Sequence, residues 1–546
     1  MTDDPALALL EASETAHLDT LGRRRGVSAG DYLYREGDIA DAFFVVLYGA
    51  VEIFIVADGK EQVIAQHDAG RFLGELNLLS GTRVFVSARV TEPGEVLEVP
   101  VEAFRRVIAT QPALSDKILA AFMARRALLI SGAAATLRVI GSRFSPESLQ
   151  IREFLTRIRR PHEWLDPDAD TQVDEILRHF GIAPSELPVV IASGTVFRRP
   201  TPGVLAEYLN LTVDSLPERC VDLVIVGGGP AGLAAAVYGA SEGLRTLGVD
   251  MVAPGGQAGT SSRIENYFGF ATGISGGDLI GRGLVQAEKF GAHLSAPCSA
   301  VAIQEKAGHL VVELSDGTVV AGRAVIVATG ARYRRLAVDR LEEFENRGVY
   351  YAATELEARQ CAGGPVVVVG GGNSAGQAAV FLADQGSPVT VAIRGRDLNA
   401  SMSRYLVDRI ENHPAITVET ETEVVALGGD GTLRSLRVSG PGGEASVPCA
   451  ALFSFIGADP QTAWLSGRAA LDSRGFVLTD RSLREDDLDE HWEAVGRDPL
   501  PFETSSPGLF AAGDVRAGST KRVAAAVGEG SAAVRSVHEH LSFTHP

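Results

Sequence analysis

The chain has 546 residues, 45% hydrophobic and 22% charged, a composition typical of a globular protein that divides into several domains. Its formal net charge of −19 disfavours a nucleic-acid polymer as partner, because such proteins gather an excess of Lys and Arg. It contains no run of about 18 apolar residues that would predict a membrane span, and its N-terminus MTDDPALALLEASE lacks the basic and apolar regions of a signal peptide.

The cysteines indicate a reducing location. The chain has four, Cys220, Cys298, Cys361 and Cys449, far apart and with no Cys-x-x-Cys pair. This spacing excludes a disulfide scaffold and a Cys-rich zinc site. We therefore predict no metal, no membrane association and a cytoplasmic protein.

Residues 1–130 begin with short runs of alternating polarity separated by Gly and Asp, such as AFFVVLYGAVEIFIV and SARVTEPGEVLEV. Closely spaced strands of this kind predict a jelly-roll-like β-barrel. The stretch that follows, VEAFRRVIATQPALSDKILAAFMARRALLI, has apolar residues at helical spacing. We predict a barrel followed by helices.

Two stretches of this region, AGDYLYREGDIADAFFVVLYGAVEIF and RFLGELNLLSGTR, resemble the cyclic-nucleotide-binding domain family. The resemblance implies an effector site at Gly74, Glu75 and Arg83, with Glu75 on the ribose hydroxyl. The family places its phosphate-binding Arg where this chain has Val84, one residue after Arg83. A one-residue shift in an extended segment turns a side chain to the opposite face. Two alternatives stay open: a pocket of altered specificity, or a scaffold that binds no nucleotide.

Residues 136–212 alternate strand and helix patterns and predict a small α/β domain. The stretch TLRVIGSRFSPESLQIREFL resembles the start of a thioredoxin or glutaredoxin fold, and Pro188 lies where such folds have a cis-proline. In that family the turn is Cys-Pro-x-Cys, whereas residues 145–148 read SPES. Serine cannot form a disulfide, and SPES also fits a helix N-cap. We predict a retained structural module.

The stretch VDLVIVGGGPAGLAAAVYGASEG predicts a buried strand, a glycine loop and a helix. Gly227, Gly229 and Gly232 have GxGxxG spacing, which permits a tight turn, close approach of a pyrophosphate and close helix packing. Asp250 follows the next strand at the ~20-residue spacing expected of a carboxylate that accepts from a ribose hydroxyl. Strand, loop, helix and acid together predict a dinucleotide site.

The stretch PVVVVGGGNSAGQAAVFLADQG repeats this pattern with Gly370, Gly372 and, in place of the third glycine, Ala375. The strand after it ends in Arg394 and Arg396 instead of an acid. A 2′-phosphate is bound by a cation and a free ribose hydroxyl by a carboxylate. The pattern therefore favours NADPH over NADH; the alternative is that both arginines merely solvate a strand end.

From residue 221 onward the order of motifs resembles the thioredoxin reductase family of FAD- and NADPH-dependent flavoproteins. The matching stretches are VGGGPAG, PGGQAG, RIENYFGF, VIVATGA, GGGNSAGQAA, FIGADP and LFAAGDVRAGSTKRVAAAVGEG. The resemblance implies an FAD-binding domain from 220–335 and 460–546, an NAD(P)H-binding domain at 336–459, both Rossmann-like, and a homodimer. With the two loops included, the candidate cofactor-binding residues are Gly227, Gly229, Pro230, Ala231, Gly232, Asp250, Gly256, Gln257, Asn266, Thr329, Gly330, Asp514, Arg522 and Val523 for FAD, and Gly370, Gly372, Asn373, Ser374, Ala375, Arg394 and Arg396 for NADPH.

That family carries a redox-active Cys-x-x-Cys just ahead of the NADPH loop, where this chain has AATE from Ala352 to Glu355. No side chain there can cycle between thiol and disulfide, and we interpret the lone Cys361 as an inert small hydrophobe. We predict hydride transfer from NADPH to FAD and on to an external acceptor: a thioredoxin-like protein, a ferredoxin or a small molecule. The alternatives are a ferredoxin- or quinone-type flavin reductase and a flavin-based sensor with little turnover.

Overall fold

In the computed structural model of the chain, the described residues are 5–57, 60–74, 76–131, 137–170, 173–192, 194–213, 219–261, 263–345, 347–351, 353, 355–361, 363–465, 467–488, 492 and 495–543. They form four units along the chain, which we call the barrel unit, the middle unit and the first and second dinucleotide units.

The barrel unit contains the antiparallel sheet that its alternating pattern predicts. The strand order is β1-β6-β3-β4, with β2 paired to β6 and β5 to β3. The strands are β1 (Arg23–Val27), β2 (Tyr32–Tyr34), β3 (Ala42–Ala57), β4 (Lys60–His67), β5 (Phe72–Leu73) and β6 (Ser87–Pro100), and the helices are α1 (Ala12–Asp19), α2 (Asn77–Ser80), α3 (Val101–Thr110) and α4 (Pro112–Ser131). Phe43 of β3 stacks on Phe104 of α3, with ring centroids 4.6 Å apart, which fixes the helices against the barrel.

The middle unit has the strand order β10-β9-β7-β8. Its elements are β7 (Leu137–Ile140), α5 (Pro146–Arg157), β8 (His162–Leu165), α6 (Val173–His179), β9 (Val189–Ala192), β10 (Thr195–Arg198) and α7 (Pro202–Tyr208). Strands β7 and β8 are parallel, whereas β9 and β10 run antiparallel to their neighbours. The peptide bond between Leu187 and Pro188 is cis, as the resemblance to a thioredoxin or glutaredoxin fold implies.

The first dinucleotide unit is built on a sheet with the order β13-β12-β11-β16-β15-β14. Its first part comprises β11 (Cys220–Val226), α8 (Pro230–Ser241), β12 (Thr246–Val249), α9 (Gly276–Lys289), β13 (His293–Ser295), β14 (Ala300–Lys306), β15 (His309–Leu314), β16 (Val319–Val327) and β17 (Ala331–Tyr333). Strands β11, β12, β13 and β16 are parallel, so their carboxyl ends meet at one edge, where doubly wound sheets bind ligands.

The second dinucleotide unit has a parallel sheet, β18-β25-β19-β20-β21, and an antiparallel sheet, β22-β23-β24. Its elements are α10 (Leu341–Phe344), β18 (Val349–Tyr350), α11 (Glu355–Cys361), β19 (Val366–Val369), α12 (Asn373–Asp384), β20 (Val389–Ala392), α13 (Arg404–Asn412), β21 (Ile416–Glu419), β22 (Glu423–Gly429), β23 (Leu433–Gly440), β24 (Gly443–Pro448) and β25 (Ala451–Ser454). This is the unit predicted to bind NAD(P)H.

The chain then returns to the first dinucleotide unit. Strand β26 (Ala458–Pro460) pairs with β17, strand β27 (Leu509–Ala511) pairs in parallel with β16, and helix α14 (Val523–Phe543) follows. A Cβ added at Gly530 of α14 would lie 2.0 Å from the Ala231 carbonyl oxygen of α8. The two helices therefore touch backbone to backbone beside the first glycine loop.

Among the described helices, none combines the length and apolar character needed to cross a membrane. The described part of the chain also contains no group of three or more His, Cys, Asp or Glu residues that could hold a metal ion.

Candidate functional site

The first glycine loop has the tight geometry that its spacing predicts. Gly227 has a φ of +111°, and a Cβ added there would lie 2.2 Å from the Ala328 carbonyl oxygen. A Cβ at Gly232 would lie 1.8 Å from the Gly227 carbonyl oxygen, whereas one at Gly229 would meet its first neighbour at 3.9 Å. Gly227 and Gly232 are thus required by packing, and Gly229 borders open space.

This space lies at the N-terminus of α8, which begins at Pro230 and continues with Ala231 and Gly232. The first N–H groups of a helix have no intrahelical acceptor and favour an anion. A pyrophosphate fits this position because its oxygens accept such N–H groups.

Asp250 lies immediately after β12, beside the loop. Its Oδ2 accepts from the backbone N–H of Gly228 at 2.7 Å, and its Oδ1 accepts from the N–H groups of Val252 and Ala253, both at 2.9 Å. Burial raises the pKa of this carboxyl, and the three N–H groups oppose the shift. Asp250 therefore holds the glycine loop in place, while its remaining oxygen lone pairs leave capacity for a ribose hydroxyl.

The PGGQAG segment packs over this loop. Gly256 has a φ of +52°, and a Cβ there would lie 3.0 Å from the Gly229 Cα. The Gln257 side-chain amide donates to the Ala331 carbonyl oxygen, which ties the segment to β17 and the adjacent Gly330. Asn266, predicted to meet the flavin, is exposed.

Thr329 also connects distant parts of the first dinucleotide unit. It follows β16, and its hydroxyl donates to the Gln461 carbonyl oxygen at 2.9 Å. The structure thereby places Thr329 and Gly330 between the glycine loop and β26.

Asp514 follows Gly513, where an added Cβ would lie 2.9 Å from the Ala231 side chain near the start of α8. Its carboxylate is partly buried and needs a donor. Burial raises the pKa of Asp514, and the Lys521 ammonium lowers it. Within the described residues nothing donates a hydrogen bond to the Asp514 carboxylate; the Lys521 ammonium instead donates to the Asp514 backbone carbonyl. A polyol hydroxyl would supply the missing donor, so these residues fit FAD.

Glu529 and Arg516, which sequence reasoning missed, hold the backbone on either side of Asp514. Glu529 of α14 accepts from the Gly513 N–H at 2.7 Å and forms an ion pair with Arg516 at 2.8 Å. No motif spacing marks Glu529, because its role depends on how α14 packs. Of the remaining predictions, Arg522 is exposed and Val523 opens α14.

The second glycine loop repeats the design. Gly370 has a φ of +136°, and a Cβ there would lie 2.4 Å from the Phe455 carbonyl oxygen. Gly372 precedes α12 and borders open space within 4 Å. The Asn373 side-chain oxygen accepts from the Ser403 N–H at 2.7 Å, Ser374 is exposed, and Ala375 is fully buried. A small side chain at 375 therefore suffices for this loop.

Arg394 and Arg396 follow β20, which lies beside β19 and ends at the same edge as the loop. Their side chains are 75% and 88% exposed, with Arg394 3.9 Å from Glu423 and Arg396 2.9 Å from Glu421. Exposed ion pairs of this kind are weak, so both guanidinium groups are available to an incoming phosphate.

Residues 352–355, which read AATE, contain no thiol. Ala352 lies outside the described residues; Glu355 begins α11, and its side chain is likewise outside the description. The nearby Cys361 is buried, its thiol donates to the Glu357 carbonyl oxygen at 3.0 Å, and burial raises its pKa to about 11. Burial also raises the pKa values of Cys298 and Cys449 to about 12. None of these three forms a thiolate near neutral pH.

The SPES turn of the middle unit has the geometry of a helix cap. The Ser145 hydroxyl accepts from the Ser148 N–H at 3.2 Å. Ser148 is fully buried, and a Cβ added at Gly141 would lie 2.3 Å from its hydroxyl and 3.1 Å from Pro188. The turn also meets the second dinucleotide unit, because Arg347 donates to the Phe144 carbonyl oxygen at 3.0 Å. The residue just before the SPES turn is thus bonded to Arg347 of the second dinucleotide unit.

The barrel unit encloses a cavity of about 290 Å³, lined mostly by apolar residues. Val84 lines it, whereas the Arg83 guanidinium points elsewhere and donates to the carbonyl oxygens of Tyr208 and Gly37, both at 2.7 Å. Val84 thus faces the cavity and Arg83 faces away from it, as the one-residue shift predicts. Gly74 lines the cavity, and Glu75 lies outside the described residues.

Arg125 of α4 also lines the cavity and donates to the Ala6 carbonyl oxygen at 2.9 Å. Sequence reasoning missed it, because α4 is remote in sequence from the predicted phosphate-binding segment.

Two family models match this chain, one over the dinucleotide units and one over the barrel unit. A family model described as pyridine nucleotide-disulphide oxidoreductase matches residues 221–530, and one described as cyclic nucleotide-binding domain matches residues 24–111. The thioredoxin reductase of Listeria monocytogenes is 32% identical over 337 residues, covering 59% of this chain and 95% of its own. NADPH-dependent thioredoxin reductase 3 of Arabidopsis thaliana is 34% identical over 366 residues, covering 64% of this chain and 65% of its own.

Solved structures give the same result for the fold. The crystal structure of T. acidophilum thioredoxin reductase has 28% sequence identity and a TM-score of 0.53, and the match covers 60% of this chain and 100% of that chain. Two of the three predicted resemblances, to this reductase family and to the cyclic-nucleotide-binding domain, are confirmed. The resemblance of the middle unit to a thioredoxin or glutaredoxin fold stays a prediction.

Proposed function

Because the chain belongs to the pyridine nucleotide-disulphide oxidoreductase family, whose members are NAD(P)H-dependent FAD oxidoreductases, we propose that it uses NADPH and passes electrons from the flavin directly to an external acceptor. The observation that carries the proposal is the combination of two complete dinucleotide loops with no thiol pair. When bound, NADPH supplies a hydride and FAD relays the electrons; the chain's own residues bind and position both.

Each loop has a distinct task in this proposal. Gly229 and the first N–H groups of α8 hold the pyrophosphate of FAD, and Asp514 accepts from its polyol hydroxyls. Gly372 and the N-terminus of α12 hold the pyrophosphate of NADPH. Arg394 and Arg396 bind the 2′-phosphate, which sets the preference over NADH.

The cysteines support direct transfer. A relay thiol must form a thiolate and lie beside a partner thiol. Cys298, Cys361 and Cys449 are buried with raised pKa values, and the exposed Cys220 lies at the start of β11, at the opposite end of the strand from the glycine loop. The acceptor, whether a thioredoxin-like protein, a ferredoxin or a quinone, receives electrons without passing them through this chain's sulfur.

Anaerobic reduction followed by an acceptor panel tests the proposal. We expect NADPH to bleach the flavin absorbance faster than NADH does, and one member of the panel to restore it quickly. The Cys361→Ser variant is expected to match the parent in both half-reactions, with Cys449→Ser as its matched control. A reoxidation rate lost in Cys361→Ser alone would refute direct transfer.

A second candidate function, a flavin-based sensor, is favoured by the barrel unit, which contacts both the middle unit and α9. In that case the reduced flavin would persist with every acceptor, and reduction would change an interaction surface. The same acceptor panel separates the two: rapid reoxidation supports the reductase, and its absence across the panel supports the sensor. Sedimentation of the holoenzyme tests the predicted homodimer.

A further inference from the structure

A cavity of about 570 Å³ lies where the barrel, middle and first dinucleotide units meet. The barrel unit contributes Phe85 and Met123, the middle unit contributes Arg160 and Leu211, and the first dinucleotide unit contributes Pro254 and Glu288. The cavity is separate from both glycine loops, and it has a size typical of small-molecule sites.

Two consecutive arginines of the middle unit hold its walls together. Arg159 has a φ of +53° and donates to the Gly277 carbonyl oxygen of α9 at 3.1 Å. Its guanidinium lies against Gly281, where an added Cβ would be 2.2 Å from Nη1. Arg160 donates to the Arg83 carbonyl oxygen of the barrel unit at 3.2 Å and stacks 3.7 Å from the Phe85 ring centroid. Arg159 and Arg160 therefore connect the three units around the cavity, and we call this contact region the joint.

The lining has an apolar body and an excess of positive charge. Its charged residues are four arginines and two acids, namely Arg126, Arg159, Arg160, Arg282, Asp278 and Glu288. Asp278 is already engaged by Arg159 at 3.4 Å. Within the described residues Arg282 has no ion pair, and its guanidinium lies 5.7 Å from the Phe270 ring centroid. This balance favours a ligand with an anionic group.

Glu288 reinforces this preference. Within the described residues its carboxyl group has no hydrogen bond or ion pair. Burial raises its pKa to about 7, against the opposing effect of Arg126 and Arg105. In its protonated form it donates a hydrogen bond, and a bound anion would accept it.

The cavity is also in contact with both functional regions. Phe85 lines this cavity and the smaller barrel cavity, so its ring forms part of the wall between them. Pro254 opens the PGGQAG segment, and a Cβ added at Gly276 of α9 would lie 1.8 Å from the Ala258 carbonyl oxygen of that segment. A ligand here would touch α9 and Pro254, and through them the segment that packs over the first glycine loop.

We propose that this cavity is an effector site for a small amphipathic anion, a molecule with an apolar body and a single carboxylate-type head group. Only its effect on flavin reduction rests on the proposed function; binding itself does not.

Calorimetry on the oxidised holoenzyme tests binding with three molecules that share one apolar chain: decanoate, decanol and decylammonium. We expect decanoate to bind at least about tenfold more tightly than either of the others. Arg282→Gln is expected to weaken decanoate binding and leave decanol binding unchanged, with the exposed Arg437→Gln as control. Equal affinity for the three molecules would overturn the proposal.

Two cavity-filling variants locate the site. Met123 lines this cavity and is 42% exposed, and Met123→Trp is expected to reduce decanoate affinity at least about tenfold. Ile64→Trp, 39% exposed in the barrel cavity, is expected to leave it unchanged, and the reverse pattern would overturn the proposal. A holoenzyme that binds decanoate but is not reduced by NADPH would refute the proposed function and leave this site standing.

Discussion

Asp514 combines partial burial with a carboxylate that receives no hydrogen bond from the described residues. We expect Asp514→Asn to weaken FAD binding about 10- to 100-fold, because hydrogen bonds to a charged group contribute roughly 1.5–3 kcal/mol. Fluorescence titration of the apoprotein with FAD measures the change. Asp408→Asn, at an exposed position of α13, is the control, and equal FAD affinity in both variants would contradict the assignment.

The proposed preference for NADPH over NADH rests on Arg394 and Arg396. We expect the double change Arg394→Gln and Arg396→Gln to raise the KM for NADPH about tenfold or more, because two cations near the 2′-phosphate are lost. The KM for NADH should stay within about twofold, since NADH lacks that phosphate. Steady-state kinetics with both cofactors, and Arg437→Gln as control, check this. A parallel rise for both cofactors would show that the arginines only support the strand end.

At the scale of one element, the first glycine loop separates a packing role from a binding role. Gly232→Ala would place a methyl group 1.8 Å from the Gly227 carbonyl oxygen, an overlap that costs roughly 3 kcal/mol or more. We expect a thermal midpoint several degrees lower even without FAD. Gly229→Ala keeps an allowed φ of −71° and meets no atom closer than 3.9 Å.

We therefore expect Gly229→Ala to fold normally and to lose FAD affinity, because its methyl group occupies the approach of the pyrophosphate. Thermal unfolding of both apoproteins, followed by FAD titration, distinguishes the two roles. Normal FAD binding by Gly229→Ala would mean that the pyrophosphate lies elsewhere.

Elements that depend on local pattern were predictable from the sequence. The glycine loops and the barrel strands follow from spacing and alternation over a few residues. The cis-proline at Pro188 was implied by the resemblance to a thioredoxin or glutaredoxin fold, and the orientation of Arg83 by its one-residue shift from the family position. Glu529, Arg125 and the Arg159–Arg160 joint were not predictable, because each acts through a contact with a segment distant along the chain. Asp250 shows an intermediate case: its position was predicted, whereas its three backbone donors depend on the loop conformation.

At the scale of the whole molecule, the barrel and middle units are joined to the reductase fold by specific contacts. Arg83 donates to Tyr208, Arg160 donates back to Arg83, and Arg159 reaches α9. These bonds cross three units within a few residues of the large cavity. The barrel unit is therefore connected to α9 by contacts that do not involve the second dinucleotide unit.

Glu288, on α9 at this joint, makes the stability of the assembled molecule depend on pH. Its pKa of about 7 lies above the value of 4.5 for a free glutamate, so between these values the folded chain binds more protons than the unfolded chain. Stability therefore falls as pH rises from about 4.5 to about 7, by roughly 3 kcal/mol in full. The charges facing Glu288 are Arg126 and Arg105, which stay protonated throughout this range.

We expect Glu288→Gln to remove this loss, because the amide does not ionise. The difference in thermal midpoint, variant minus parent, should therefore increase between about pH 5 and about pH 8. Over this range the parent loses stability, because its unfolded chain releases the Glu288 proton more readily than its folded chain. Glu305→Gln, at an exposed position of β14, is the control and should follow the parent at every pH. If Glu288→Gln also follows the parent, the carboxyl group is ionised in the folded protein at about pH 5 and the joint is more hydrated than its burial implies.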